Sequence, residues 1–153
     1  MLPARPLVIG AGNLFAGDDA AGRLVAHLLA DKAVGFDVAE TTGNAAELIK
    51  LLEGVARIII VDACRSGAAP GTLHRFDAAE GPLPAYMSTV SSHGLGVAAA
   101  IELARVLGYL PADCIVYAIE GSCFEPGAEI SPSVRDAAAG LATSISEQLE
   151  PTI

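Results

Sequence analysis

Short apolar runs alternate with longer segments of helical periodicity along the chain. Residues 5–10, containing Leu7-Val8-Ile9, form a first strand. Residues 36–42 alternate as a second. Residues 56–63, with Ile58-Ile59-Ile60-Val61 at their centre, are the most uniformly apolar run, as a mid-sheet strand covered on both faces requires. Residues 72–76 keep polar members and suit a sheet edge, and Cys114 to Ile119 is another buried strand. Between them, apolar positions 21, 24, 25 and 28 repeat as one face of a helix reaching Leu29. Asn44, with Glu47 three residues on, starts a second helix that runs to about Glu53. Residues 78–92 read as a loop broken by Pro82 and Pro84. Ser91 or Ser92 can cap a third helix, from about Gly94 to Leu107, which Gly108 stops with Pro111 just beyond. Ser131-Pro132 opens a last helix reaching about Gln148. This order predicts one α/β domain over residues 1–153, a three-layer α/β/α sandwich with right-handed crossovers.

Composition narrows the function classes. Hydrophobic residues make up 52% and charged residues 18% of 153, which excludes a disordered chain. A formal charge of −9 argues against nucleic acid and against anionic membrane surfaces as partners. No apolar run approaches the ~20 residues needed to span a bilayer, and Met1 to Pro6 lack the charged-then-apolar order of a signal peptide. Cys64, Cys114 and Cys123 cannot all pair and include no CxxC, so a structural zinc site is not expected, and a reducing, cytoplasmic compartment fits.

The chemistry concentrates on Asp19, Asp62 and His93. In an open parallel sheet, residues that follow the carboxyl ends of the strands line one crevice. Two carboxylates and an imidazole there can bind a divalent transition metal. Each has a plainer reading: Asp62 can bond loop amides, Asp19 can be a helix-start acid, and His93 can bond a loop. Asp18 is expected to cap the first helix, leaving Asp19 available. His27 reads as a surface helix residue and His74 as a strand residue outside the cluster. Cys64, close behind the central strand, reads as a buried, inert thiol. Gly10-Ala11-Gly12 hints at a dinucleotide turn, and Glu40 imitates its ribose-binding acid. Position 15 is Phe, however, and Asp18-Asp19 would repel a pyrophosphate. No GxxxxGK[ST], GxSxG or HExxH occurs. A non-catalytic metal-binding or small-ligand module on the same frame remains the alternative.

The motifs taken in order resemble the hydrogenase maturation endopeptidases, which process the large subunit of nickel–iron hydrogenases. They are Ile9-Gly10-Ala11-Gly12-Asn13-Leu14 with Asp18-Asp19-Ala20-Ala21-Gly22, then Val61-Asp62-Ala63 with Gly67-Ala68-Ala69-Pro70-Gly71-Thr72. Ser91-Ser92-His93-Gly94-Leu95-Gly96, Leu107-Gly108 with Pro111, Ile119-Glu120-Gly121, Gly127 and Ile130-Ser131-Pro132-Ser133-Val134 follow. The resemblance implies a five-stranded, mostly parallel mixed sheet with one antiparallel strand, that at 72–76 or its neighbour. It implies that Asp19, Asp62 and His93 bind nickel, delivered with the substrate, in a site that zinc or cadmium could also occupy. It further implies a cytoplasmic, aspartic-type endopeptidase that removes a C-terminal extension from a nickel-loaded hydrogenase large-subunit precursor. Glu40-Thr41-Thr42-Gly43 departs from the Asp-Gly-Gly-Thr-like turn that many members carry.

Overall fold

The computed structural model describes residues 5–88 and 96–151. Five strands, β1 (Leu7–Ala11), β2 (Asp37–Thr41), β3 (Arg57–Cys64), β4 (Leu73–Asp77) and β5 (Asp113–Glu120), form one sheet in the order β2-β1-β3-β5-β4. β1 pairs in parallel with β2 and β3, and β3 in parallel with β5. β4 alone runs antiparallel, against β5 at the sheet edge. The mixed sheet implied by the motifs is therefore present, and the polar strand is the reversed one.

Four helices cover the sheet. α2 (Ala45–Leu52) and α3 (Val97–Leu107) contribute Leu48, Leu52, Ala100, Ile101 and Ala104 to one core, where they meet Ile58, Ile60 and Val116. α1 (Ala21–Ala30) and α4 (Pro132–Leu149) contribute Val25, Leu29, Val134, Leu141 and Ile145 to the other, against Val8, Ile59, Val61 and Ile119. Alternate residues of β3 thus enter opposite cores, which is why its sequence is apolar throughout. Each buried isoleucine is worth about 2 kcal/mol of transfer free energy, so this strand anchors both layers.

Helix ends follow local chemistry. The Asn44 side chain accepts from the amides of Ala46 (3.0 Å) and Glu47 (3.2 Å), as its cap position predicts. Gly108 closes α3 in the left-handed region at φ 78°. The expected α3 start at Gly94 and its Ser91 or Ser92 cap lie outside the described residues; the helix is seen from Val97. None of the described helices is long and apolar enough to cross a membrane.

The strand order reverses at β1. From β1 the chain moves outward to β2, then returns across the sheet to β3 on the other side of β1. That reversal places α1 and α2 on opposite faces and leaves a crevice beyond the carboxyl ends of β1 and β3. α1 seats tightly there because Gly22 has no side chain: a Cβ would stand 2.2 Å from the Val61 carbonyl oxygen and 2.5 Å from that of Ala11. Both atoms are backbone and cannot swing away. Gly22→Ala should cost about 3 kcal/mol by forcing α1 off the sheet, read as a lowered midpoint in urea denaturation. An unchanged midpoint would show that α1 does not seat by this contact.

Candidate active-site cleft

The crevice is a cleft of about 740 Å³. Asp19 and Asp62, two of the three residues singled out by sequence, both line it. Asp19 sits on a 3-10 helix (Gly17–Ala20) between β1 and α1. Asp62 lies within β3, one residue past Val61, where the pairing with β1 stops. His93 falls outside the described residues.

Among the described residues, each acid is held by one nearby amide. Asp19 Oδ2 accepts from Asn13 N at 2.9 Å, and Asp62 Oδ1 from Ala63 N at 2.8 Å. A single amide does not offset the loss of water around a carboxylate. Burial pushes the Asp62 carboxyl up to about 8, with the Asp19 charge adding to the shift and the Ala63 bond opposing it. Asp19 is also raised, by burial, against its Asn13 bond. The Asp19 charge disfavours ionisation of Asp62, and a proton or a bound cation would relieve that cost. The cleft lining includes exposed apolar side chains, Phe15 at 76% and Leu14 at 40%, together with Phe124 and Pro126.

Asp18 does not cap the first helix, contrary to the expectation from sequence. The N-terminus of α1 has no side-chain cap; instead the chain enters it through the 3-10 helix. The Asp18 carboxylate is wholly buried and turned toward the segment joining β5 to α4. It accepts from the amides of Ser122 (2.8 Å), Cys123 (3.1 Å) and Ser131 (2.7 Å), and from the hydroxyls of Ser131 (2.8 Å) and Ser122 (3.4 Å). Burial raises its pKa, but the hydrogen bonds from Ser131, Ser122 and Cys123 outweigh burial and hold it below the usual carboxylate value. Spacing from the helix start suggested a cap. The true partners lie more than 100 residues away and leave no local signal.

Glu40, read from sequence as an imitation of a ribose-binding acid, is committed to an ion pair. Its Oε1 takes Arg23 Nε at 2.7 Å and His27 Nε2 at 2.8 Å, and Arg23 also donates to the Gly12 carbonyl at 3.1 Å. The network braces the turn after β1. Cys64 is buried, as expected, and burial with the neighbouring Glu120 pushes its thiol up to about 12, so it is no nucleophile at neutral pH. Sequence reading gave His74 no role. It lies outside the Asp19–Asp62 cleft but belongs to a second group, with Cys64 and Glu120.

A three-layer α/β/α domain with two acids lining a cleft at its switch point is compatible with many chemistries, and comparisons with known proteins narrow it. A profile of the hydrogenase maturation protease family (HycI) matches residues 25–148. The hydrogenase 2 maturation protease of Escherichia coli K12 is 28% identical over 134 residues, spanning 85% of this chain and 81% of that protein. The crystal structure of a NiFe hydrogenase maturation protease, HycI, from Thermococcus kodakarensis KOD1 superposes with a TM-score of 0.72 at 25% identity, covering 97% of this chain and 94% of the other. The hydrogenase maturating endopeptidase HybD from E. coli gives 0.74 at 25% identity, covering 94% and 93%. The chain belongs to the hydrogenase maturation protease family.

Two stability predictions separate the adjacent acids. Asp18→Ala strands several buried donors and should cost about 3 kcal/mol. Because folding lowers the Asp18 pKa below 3.8, its contribution is present above that pH and fades on acidification. The gap between wild type and variant in urea melts should therefore narrow below about pH 4. Asp62 has the opposite sign. Its folded pKa lies at about 8, well above the ordinary aspartate value, so the unfolded chain releases this proton first and wild-type stability falls from about pH 4 to pH 8. Asp62→Asn, melted without added metal, should raise Tm at pH 8 by about 3 °C or more, given about 2–4 °C per kcal/mol for a chain of this size, and by nothing near pH 4. A Tm difference independent of pH would refute the assignment of an ionisation cost to Asp62.

Proposed function

We propose that the chain is an endopeptidase that removes the C-terminal extension of a nickel–iron hydrogenase large-subunit precursor once nickel has been inserted. On this reading Asp19, Asp62 and His93 grip the precursor's nickel. The observation that carries it is the meeting of Asp19 and Asp62, from separate elements, in one open cleft where burial disfavours their charge. A nickel ion arriving with the substrate would relieve that cost by favouring both carboxylates. A precursor without nickel would lose this attraction, so cleavage would wait for metal insertion. Nickel, with oxygen and imidazole donors and open positions, would dock the precursor and orient its scissile peptide beside the carboxylates.

The chain's own residues supply the rest. The exposed Phe15 and Leu14 that line the cleft suit apolar side chains flanking the scissile bond. A carboxylate oxygen that the metal leaves free serves as general base toward water and then passes that proton to the leaving amine. The activity is thus of the aspartic type, with nickel as the recognition element.

Incubation with nickel-loaded precursor, followed by mass measurement, tests the proposal. A product lighter by a C-terminal peptide is expected, with no loss from nickel-free precursor. Asp62→Asn should slow processing by about 100-fold or more while the protein stays folded. Binding of the loaded precursor with no mass change would overturn the peptidase reading and favour a non-catalytic module.

A further inference from the structure

We propose a second metal site, separate from the Asp19–Asp62 cleft, in which Cys64, His74 and Glu120 bind a zinc-like divalent cation. The three come from β3, β4 and β5 on the sheet face that carries α2 and α3. Their ligand atoms all lie within 4.8 Å of one another. Glu120 Oε1 is the common point: Cys64 Sγ is 3.5 Å from it and His74 Nε2 is 3.1 Å from it. Zinc bonds of about 2.3 Å to sulfur and about 2.0 Å to nitrogen and oxygen place tetrahedral ligands about 3.3–3.6 Å apart, so only a small closure is needed. A thiolate, an imidazole and a carboxylate form a donor set that zinc accepts.

The surroundings are those of an oriented ligand set. Glu120 Oε2 is fixed by the amides of Ser66 (2.8 Å) and Gly67 (3.3 Å), which leaves Oε1 turned inward. The Ser66 hydroxyl reaches Oε1 at 2.5 Å and stands where a fourth ligand or its water would lie. The His74 ring is flanked by Phe76 (centroids 6.3 Å) and Tyr86 (5.6 Å). Cys64 and Glu120 are buried, while the His74 side chain is 19% exposed and gives the ion a way in. Binding releases the thiol proton and moves the imidazole proton to Nδ1. The ion would clamp three strand ends beside the cleft.

Stepwise addition of Co²⁺ to metal-stripped full chain tests the site, because a cobalt–thiolate bond gives a sulfur-to-metal charge-transfer absorption that the sulfur-free Asp19–Asp62 pair cannot produce. The absorption should saturate at one equivalent and be abolished by Zn²⁺. It should vanish in Cys64→Ser, persist in Cys123→Ser and Asp62→Asn, and require at least about tenfold more Co²⁺ in His74→Gln. His74→Gln decides the matter should Cys64→Ser not fold. No charge-transfer absorption in the wild type, absorption that survives Cys64→Ser, or unchanged affinity in His74→Gln would each overturn the site, whatever the outcome of the precursor assay.

Discussion

The parallel pairing of β1 with β3 ends at Gly10 and Val61, and the cleft exists because it ends there. β3 continues three residues further, still paired with β5, while β1 turns away through Gly12. Asp62 is the first residue past the split, so its carboxylate stands on a rigid strand at the edge of a gap. Gly12 makes the departure feasible: its φ is 140°, and a Cβ there would lie 2.0 Å from the Asp19 carbonyl oxygen. The turn therefore brings the Asp19 backbone against β1. A strand end and a close turn, not a flexible loop, set the spacing of the two acids.

Part of the cleft lining depends on Asp18. Its buried carboxylate gathers the amides of Ser122, Cys123 and Ser131, which lie after β5 and at the start of α4. The same segment carries Phe124 and Pro126 to the cleft lining. The β1–α1 turn thus holds a cleft-lining acid and a structural acid side by side, the second securing the segment that carries Phe124 and Pro126. Arg23 and Glu40 brace the turn from the β2 side through the Gly12 carbonyl.

Periodicity made the layers legible. The five strands and the described parts of the four α-helices fall where the apolar spacing places them, a 3-10 helix (Ala85–Ser88) stands within the segment expected as a loop, and polar content marked β4 as the edge strand. Asp19 and Asp62 could be set in one crevice because both follow strands that meet at the switch point, a property of topology that chain order reveals. Asp18 and Glu120 were not legible, since their partners lie 104 to 113 and 46 to 56 residues away and depend on strand register. The pairing of His74 with Ala118 puts His74 on the same sheet face as Glu120. No spacing rule shows that before the sheet is assembled.

Among the described residues, donor supply separates the roles of three acids in low-dielectric surroundings. Asp18 is met by three amides and two hydroxyls, Glu120 by two amides, the Ser66 hydroxyl, His74 and Cys64, and both are held below their ordinary pKa despite burial. Asp62 is met by one amide, faces another acid, and is pushed up to about 8. For Asp18, whose donors all come from the segment between β5 and α4, the carboxylate is a completed structural joint. A carboxylate with a single donor is a standing electrostatic cost, and folding keeps such a cost only where the rest of the domain outweighs it. The under-supplied acid lies in the open cleft, at the switch point, with a second raised acid lining the same cleft, and this is the physical ground on which the proposed chemistry rests on Asp62 rather than on the better-buried Asp18.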